Sequence, residues 1–96
     1  MSKSKLQRAV IEFLDERGEP ELDILLLDGF DGAFLGVVEQ FNSKPVACYD
    51  RAKCIEILER QGMTNEQAEE YFTFNVEGAW VGEQTPYLLW HIPPKA

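Results

Sequence analysis

Apolar residues in the N-terminal part of the chain recur at the spacing of an amphipathic helix. Ser4 and Gln7 form a capping box in front of this stripe. Gly18 and Pro20 follow it, and glycine followed by proline is typical of a helix end. The pattern predicts a helix over residues 4–17. The apolar stripe consists of Leu6, Val10, Phe13 and Leu14.

Four short apolar runs predict the sheet. Residues 33–41 and 45–49 are predicted as strands, and the turn chemistry of 42–44 between them indicates an antiparallel hairpin. Residues 87–92 are predicted as the last strand. Residues 21–27 favour a strand or an extended segment, although a short helix stays open because leucine is not specific to strands.

The middle of the chain carries two further helix patterns. Asp50 is a predicted N-cap, and Gly62 ends the helix that it begins. Thr64 and Gln67 form a second capping box, and Gly78 ends the second helix. Since only a few residues separate the two helices, they should form an αα-hairpin. The predicted apolar faces consist of Ala52, Cys54, Ile55, Ile57 and Leu58 in the first helix and of Ala68, Tyr71, Phe72 and Val76 in the second.

Together these elements predict a small α+β fold. The 96 residues make a single domain. We expect an N-terminal helix, a small antiparallel sheet of three or four strands, the αα-hairpin and a C-terminal strand, packed in two layers.

The most compact polar feature is an acidic turn, Asp28-Gly29-Phe30-Asp31-Gly32. An EF-hand loop would need an oxygen ligand where Phe30 stands. The turn loosely resembles the nucleophile motif of haloacid-dehalogenase-type phosphatases, but its aspartates are three residues apart instead of two, and the chain is too short for that fold. We predict a structural turn, in which glycine supplies unusual backbone angles and each aspartate bonds nearby N–H groups.

Cysteine and histidine suggest no metal or catalytic chemistry. Cys48 and Cys54 fit no zinc pattern and are predicted to be small buried side chains in a reducing compartment. His91 is the only histidine and is predicted to be structural. Nucleophilic catalysis would need a thiol beside His91, which the spacing does not support. The sequence therefore predicts no cofactor, no metal and no catalytic residue.

The chain is strongly acidic, with 17 acidic and 9 basic side chains and a net charge of −8. Nucleic acids and anionic membranes repel such a chain, so neither is expected as a direct partner. There is no apolar stretch of about 18 residues, the length of a membrane span. We expect a cytoplasmic protein with a basic protein partner.

Acidic and aromatic residues crowd together after Arg60, where Lys95 is the only basic residue. The simpler interpretation places most of the aromatic side chains in the core. Exposed aromatics ringed by carboxylates would instead suit a basic protein, because aromatics supply contact area and carboxylates bond arginine. Such a surface could also mimic the charge of a nucleic-acid backbone. The candidate interaction residues are Glu66, Glu69, Glu70, Glu77, Trp80, Glu83 and Trp90.

Three segments together resemble a family of small hypothetical proteins from bacteria and their phages. They read DGFDxAFLG (28–36), PVAxYDxxKCIxIL (45–58) and GMTxExAxEYFxFNVxGAWVGExTP (62–86). The resemblance implies an accessory or phage-type protein and no catalytic residues. Within the third segment, Asn75 stands in an apolar helix end where asparagine is unfavourable. We hypothesise that its amide bonds the backbone of a neighbouring turn, such as the acidic turn.

Three functions are consistent with these features. The first is a non-enzymatic, phage- or prophage-related interaction protein that binds a basic host protein such as a nucleic-acid-handling or defence component; both an inhibitory and a non-inhibitory complex are consistent with the sequence. The second is a small enzyme or ligand-binding domain, which would need Asp28, Asp31 and Glu83 to converge on a pocket. The third is a homo-oligomeric structural module that associates through the last strand or a helix face.

Overall fold

A computed structural model describes residues 4–79 and 82–92 of the chain. The prediction of an α+β fold is confirmed, because the described residues form three α-helices and a three-stranded sheet. A 3₁₀ turn precedes the first strand, and a π-helical turn continues the last helix. The elements are α1 (Lys5–Glu16), the 3₁₀ turn (Asp31–Ala33), β1 (Phe34–Val38), β2 (Val46–Asp50), α2 (Arg51–Arg60), α3 (Asn65–Phe72), the π turn (Thr73–Glu77) and β3 (Tyr87–Leu89).

Both predicted capping boxes are present. The backbone N–H of Gln7 donates to Oγ of Ser4 over 3.1 Å, and the N–H of Ser4 donates to the side chain of Gln7 over 2.8 Å. Thr64 and Gln67 form the same pair of bonds at the start of α3, over 3.1 and 2.9 Å. These bonds fix where the helices begin, because they satisfy N–H groups that have no partner inside the helix.

The sheet is mixed, with the strand order β1-β2-β3. β1 pairs antiparallel with β2, as the short turn between them predicts. β3 runs parallel to β2, with Cys48 opposite Tyr87 and Asp50 opposite Leu89, so the prediction of an antiparallel sheet is wrong for this pair. Residues 51–86 return the chain to the end at which β2 begins, a crossover that only a long connection can make. The chain therefore leaves β2 and β3 at the same end of the sheet.

Residues 22–27 belong to no helix or strand, so this leucine-rich run adds no strand to the sheet. The backbone N–H of Leu27 donates instead to the hydroxyl of Tyr49 over 2.8 Å. Ile24, Leu26 and Leu27 pack against the core. The segment therefore buries apolar surface as irregular chain, and an apolar run by itself does not distinguish this from a strand.

β1 and β3 are shorter than the apolar runs that predict them, whereas β2 has the predicted length and begins one residue later. β1 begins only after the 3₁₀ turn and ends at Val38, and β3 ends at Leu89. Beyond β1, the carboxylate of Glu39 accepts two hydrogen bonds from the guanidinium of Arg17, over 3.0 and 3.1 Å. This pair ties the C-terminal end of α1 to the end of β1.

The core lies between the sheet and the αα-hairpin. Tyr49, Cys54 and Phe72 have no exposed surface. The ring of Phe30, from the acidic turn, meets Phe72 edge-on with centroids 5.7 Å apart, and Phe34 meets Tyr49 in the same way at 5.5 Å. Aromatic contacts of this kind stabilise beyond the area that they bury, so they fix the acidic turn and β1 against β2 and α3.

The apolar stripe of α1 lies outside this core cluster. Val10 and Leu14 are buried, whereas Phe13 is 37% exposed and Leu6 is half-buried. The predicted stripe is therefore only partly covered.

Candidate interaction surface

Arg51, the first residue of α2, binds one carboxylate from α3 and one from the π turn that continues it. Only 6% of Arg51 is exposed. Its guanidinium donates to both oxygens of Glu69, over 3.0 and 3.3 Å, and to Oε1 of Glu77 over 2.8 Å. The hydrogen bond between Arg51 and Glu77 is the main cause that raises the pKa of Arg51 and lowers the pKa of Glu77. Both groups therefore stay charged at neutral pH.

The π turn brings Glu77 to this cluster. The backbone N–H of Gly78 donates to the carbonyl of Thr73, five residues earlier, over 3.0 Å. In an α-helix, Glu69 and Glu77 would point about 80° apart around the axis, since each residue advances by about 100°. A π turn advances by less per residue, because its hydrogen bonds close wider rings. The two carboxylates therefore come close to the same side of the helix, where Arg51 binds both.

Asn75 lies in the same π turn. Its side-chain amide donates to the carbonyl of Tyr71, one turn earlier, over 3.0 Å. The hypothesis that this amide bonds the backbone of a neighbouring turn is therefore wrong. The bond stays within the helix, and such local bonds let asparagine occupy a helical position that it would otherwise disfavour.

Two aromatic rings contact the guanidinium of Arg51. Its Cζ lies 4.3 Å from the ring centroid of Trp90 and 5.4 Å from that of Phe72. Distances below about 6 Å are those of cation–π contacts. Phe72 is fully buried, whereas Trp90 is 65% exposed. Trp90 therefore covers Arg51 with part of its surface and presents the remainder to solvent.

A second contact holds the segment that carries Trp90. Nε2 of His91 lies 2.9 Å from Oδ2 of Asp50, whose Oδ1 accepts the backbone N–H of Lys53 over 3.2 Å. Burial, the largest single effect, raises the pKa of Asp50, but the interaction with His91 and the hydrogen bonds from the backbone of Lys53 and Ala52 together offset it, so the pKa is lowered overall. Asp50 thus joins the start of α2 to the residues after β3.

The two thiols are not activated nucleophiles. Cys48 and Cys54 are free and buried. Burial raises the pKa of Cys54 to about 11 and also raises that of Cys48, and the Asp50 carboxylate adds to both shifts. A reactive cysteine needs a lowered pKa and an accessible thiol. Within residues 4–79 and 82–92, the structure shows no hydrogen bond between either thiol and His91.

The predicted acidic residues have two different environments. Glu69 and Glu77 bind Arg51, so their charges are partly neutralised inside the protein. Glu66, Glu70 and Glu83 are exposed, and none of them forms an ion pair with another described residue. Glu66 and Glu70 therefore carry the negative charge of α3 that no ion pair with a described residue compensates.

Several aromatics of the C-terminal third are exposed, contrary to the simpler interpretation that places most of them in the core. The exposed fractions are 74% for Phe74, 55% for Tyr87 and 65% for Trp90. Phe72, by contrast, fills the core. Trp80, the remaining predicted interaction residue, lies outside the described residues.

Arg51 was not predicted from the sequence. A signal for it existed, because a cation at the first position of a helix meets the positive end of the helix dipole. The first turn of α2 has no acidic residue, and the N-cap carboxylate of Asp50 bonds Lys53 and His91, not the Arg51 guanidinium. The compensating charges come from Glu69 and Glu77, which only the fold brings near.

The acidic turn and Glu83 do not share a cavity. Asp28 and Asp31 line a shallow cavity of about 500 Å³ together with Gly29 and Gly32. Glu83 lines a separate groove between β3 and the β1–β2 connection. Gly29 has a φ of 88°, a conformation that favours glycine. In the part of the chain that the structure describes, no group of three His, Cys, Asp or Glu side chains could hold a metal ion.

An apolar cleft of about 600 Å³ lies between residues 25–28, the end of the αα-hairpin and residues 85–88. Tyr71 and Val76 line it, as does Ala79. Residues 80 and 81, which follow Ala79, lie outside the described residues.

Comparisons of the chain with models of known protein families, with curated protein sequences and with solved structures found no match. Among the described residues, no helix has both the length and the apolar character to cross a membrane. The resemblance to small bacterial and phage proteins stays a prediction.

Proposed function

We propose that the protein is a non-enzymatic interaction protein, phage- or prophage-related, that binds a basic host protein. Four exposed side chains, on α3, on the π turn that continues it and near the C-terminal end of the chain, support this proposal, and we call them together the acidic–aromatic surface: Glu66, Glu70, Phe74 and Trp90. Its two carboxylates are exposed and form no ion pair with a described residue. Its two aromatic side chains are 74% and 65% exposed.

The chemistry of this surface favours a basic partner. Exposed aromatic side chains supply much of the binding energy of protein interfaces, and carboxylates form charge-assisted hydrogen bonds with arginine. A net charge of −8 also steers a basic protein toward the chain and raises the rate of encounter. A partner that uses a basic groove to handle nucleic acid, or a defence component with such a groove, would be inhibited when this surface occupies the groove.

A pull-down from bacterial lysate tests this proposal. The tagged protein is compared with a variant that carries Glu66→Gln and Glu70→Gln, at low and at high salt, and captured proteins are identified by mass spectrometry. The matched control carries Glu12→Gln and Glu16→Gln, two exposed acids at the same spacing on α1.

We expect the unaltered protein to capture a basic protein at low salt and to lose it at high salt, because salt screens the charges. The α1 control should still capture this protein at low salt, whereas the α3 variant, with Glu66→Gln and Glu70→Gln, should not. Equal capture by both variants would contradict the proposed surface. A lane without any salt-sensitive basic protein would contradict the proposed function.

Self-association through β3 is a second candidate. β3 is an edge strand of the sheet, and its residues Tyr87 and Leu89 are 55% and 41% exposed. Exposed apolar edge strands tend to pair with other chains. Sedimentation at several protein concentrations tests this, and a mass of one chain at every concentration would exclude it.

A further inference from the structure

The ring of Trp90 has room for a second cation. Arg51 covers part of the indole, with Cζ 4.3 Å from the ring centroid, yet 65% of the residue is exposed. We propose that the exposed face of Trp90 is the docking site for an arginine side chain of the basic partner. This inference rests on the proposed function and adds to it the residue type that the partner contributes.

The charge beside Trp90 favours a cation. Arg51 contributes one positive charge to its cluster, and Glu69 and Glu77 contribute two negative charges, which leaves one in excess. Oε1 of Glu77 accepts hydrogen bonds from Arg51 and from Thr73. Oε2 of Glu77 accepts none from the described residues. Arg51 lies over one face of the Trp90 ring and binds Glu77, so the excess negative charge of the cluster lies next to the residue that the incoming cation would contact.

Arginine fits this site better than lysine. Its guanidinium is planar and weakly hydrated, so it can stack on an indole and still direct N–H groups at a carboxylate. The ammonium of lysine is a compact, strongly hydrated charge. An exposed cation–π contact changes affinity by about two- to fivefold. A partner segment with several arginines should therefore bind more tightly than one with the same number of lysines.

The site is held in place before a partner arrives. Leu89, the residue before Trp90, pairs with Asp50 in the sheet, and His91, the residue after it, contacts the carboxylate of Asp50. Arg51 supports one side of the ring. A side chain that is already ordered loses little conformational entropy on binding, which favours its use as an anchor.

Two labelled, capped peptides of equal charge, octa-arginine and octa-lysine, test the inference. Their affinities are measured by fluorescence anisotropy at low salt for the unaltered protein, for Trp90→Ala and for the matched control Phe41→Ala. Phe41 is 90% exposed and lies in the β1–β2 connection, apart from the Arg51 cluster. Circular dichroism of each variant checks that the fold is kept.

We expect octa-arginine to bind the unaltered protein about two- to fivefold more tightly than octa-lysine. Trp90→Ala should remove this preference, and Phe41→Ala should leave it. Equal binding of both peptides, with no effect of Trp90→Ala, would overturn the arginine site and leave the proposed function standing. If neither peptide binds the unaltered protein, the proposed function fails together with the inference.

A spectroscopic measurement keeps the test decisive if Trp90→Ala does not fold. The protein is labelled with 5-fluorotryptophan, and the ¹⁹F signal that is missing in Trp90→Phe is assigned to Trp90. Octa-arginine should shift this signal more than octa-lysine does. A signal that stays in place while octa-arginine binds would overturn the inference.

Discussion

Replacing Arg51 by methionine should lower the free energy of unfolding by about 2–3 kcal/mol, from three lost hydrogen bonds between charged groups. Such bonds contribute about 1.5–3 kcal/mol each when buried. The gross loss is reduced here, because the side chains of Glu69 and Glu77 are 44% and 27% exposed and regain water. Removing Arg51 also relieves the cost of burying its charge. Methionine keeps an unbranched aliphatic side chain at this position, so the loss reports mainly on the guanidinium and its contacts.

Urea unfolding followed by circular dichroism at neutral pH measures this loss. For a chain of this size, a loss of 2–3 kcal/mol corresponds to a fall of roughly 10–20 °C in Tm. The matched control is Arg60→Met. Arg60 is an arginine of α2 whose side chain is 72% exposed and pairs with Glu56 one turn away. Exposed pairs of this kind contribute about 0.3–0.5 kcal/mol.

An Arg51→Met variant as stable as the unaltered protein would show that the buried guanidinium does not stabilise the fold. Equal destabilisation by Arg60→Met would show that the effect does not depend on burial of the guanidinium.

Three further predictions follow from individual contacts. Glu77→Gln should lower the free energy of unfolding at neutral pH, because Arg51 lowers the pKa of the Glu77 carboxyl in the folded protein. The difference in this free energy between the variant and the unaltered protein should shrink as the pH falls below 4.5, the ordinary pKa of the carboxyl. Urea unfolding over a pH series measures the difference, and a value that does not change with pH would contradict the prediction. Tyr49→Phe removes the hydroxyl that accepts the N–H of Leu27 and should cost about 1–2 kcal/mol in urea unfolding; an unchanged midpoint would show that the bond is dispensable. Cys54, with a pKa raised to about 11, should react with a thiol reagent only after denaturation, and rapid labelling of the native protein would show that the thiol is accessible.

Features that depend on neighbouring residues could be predicted from the sequence. The capping boxes at Ser4 and Thr64 each need only two side chains three residues apart, and both helices begin where the boxes indicate. The β1–β2 hairpin follows from a short turn between two apolar runs. In each case the stabilising bonds join residues that are close along the chain.

Features that depend on distant residues could not be predicted in this way. The direction of β3 is set by the path of residues 51–86, and no local pattern in either strand encodes it. The leucine-rich run before the acidic turn gains its place from the hydroxyl of Tyr49, far along the chain. The pairing of Glu69 and Glu77 with Arg51 likewise depends on the π turn, and the residue types at positions 73–77 do not predict a π turn.

The parallel pairing of β2 with β3 bears on the order in which the protein folds. The β1–β2 hairpin and the αα-hairpin are built from residues that are close in sequence, and such contacts form early because little loop entropy is lost. The pairing of β3 with β2 closes the longer connection 51–86 and costs more loop entropy, so we expect β3 to dock later. Trp90 and His91 reach Arg51 and Asp50 in that late step. A newly synthesised chain is therefore expected to complete the contacts of Trp90 with Arg51 last, and a chain that stops before that step lacks the contacts on which the proposed arginine site depends.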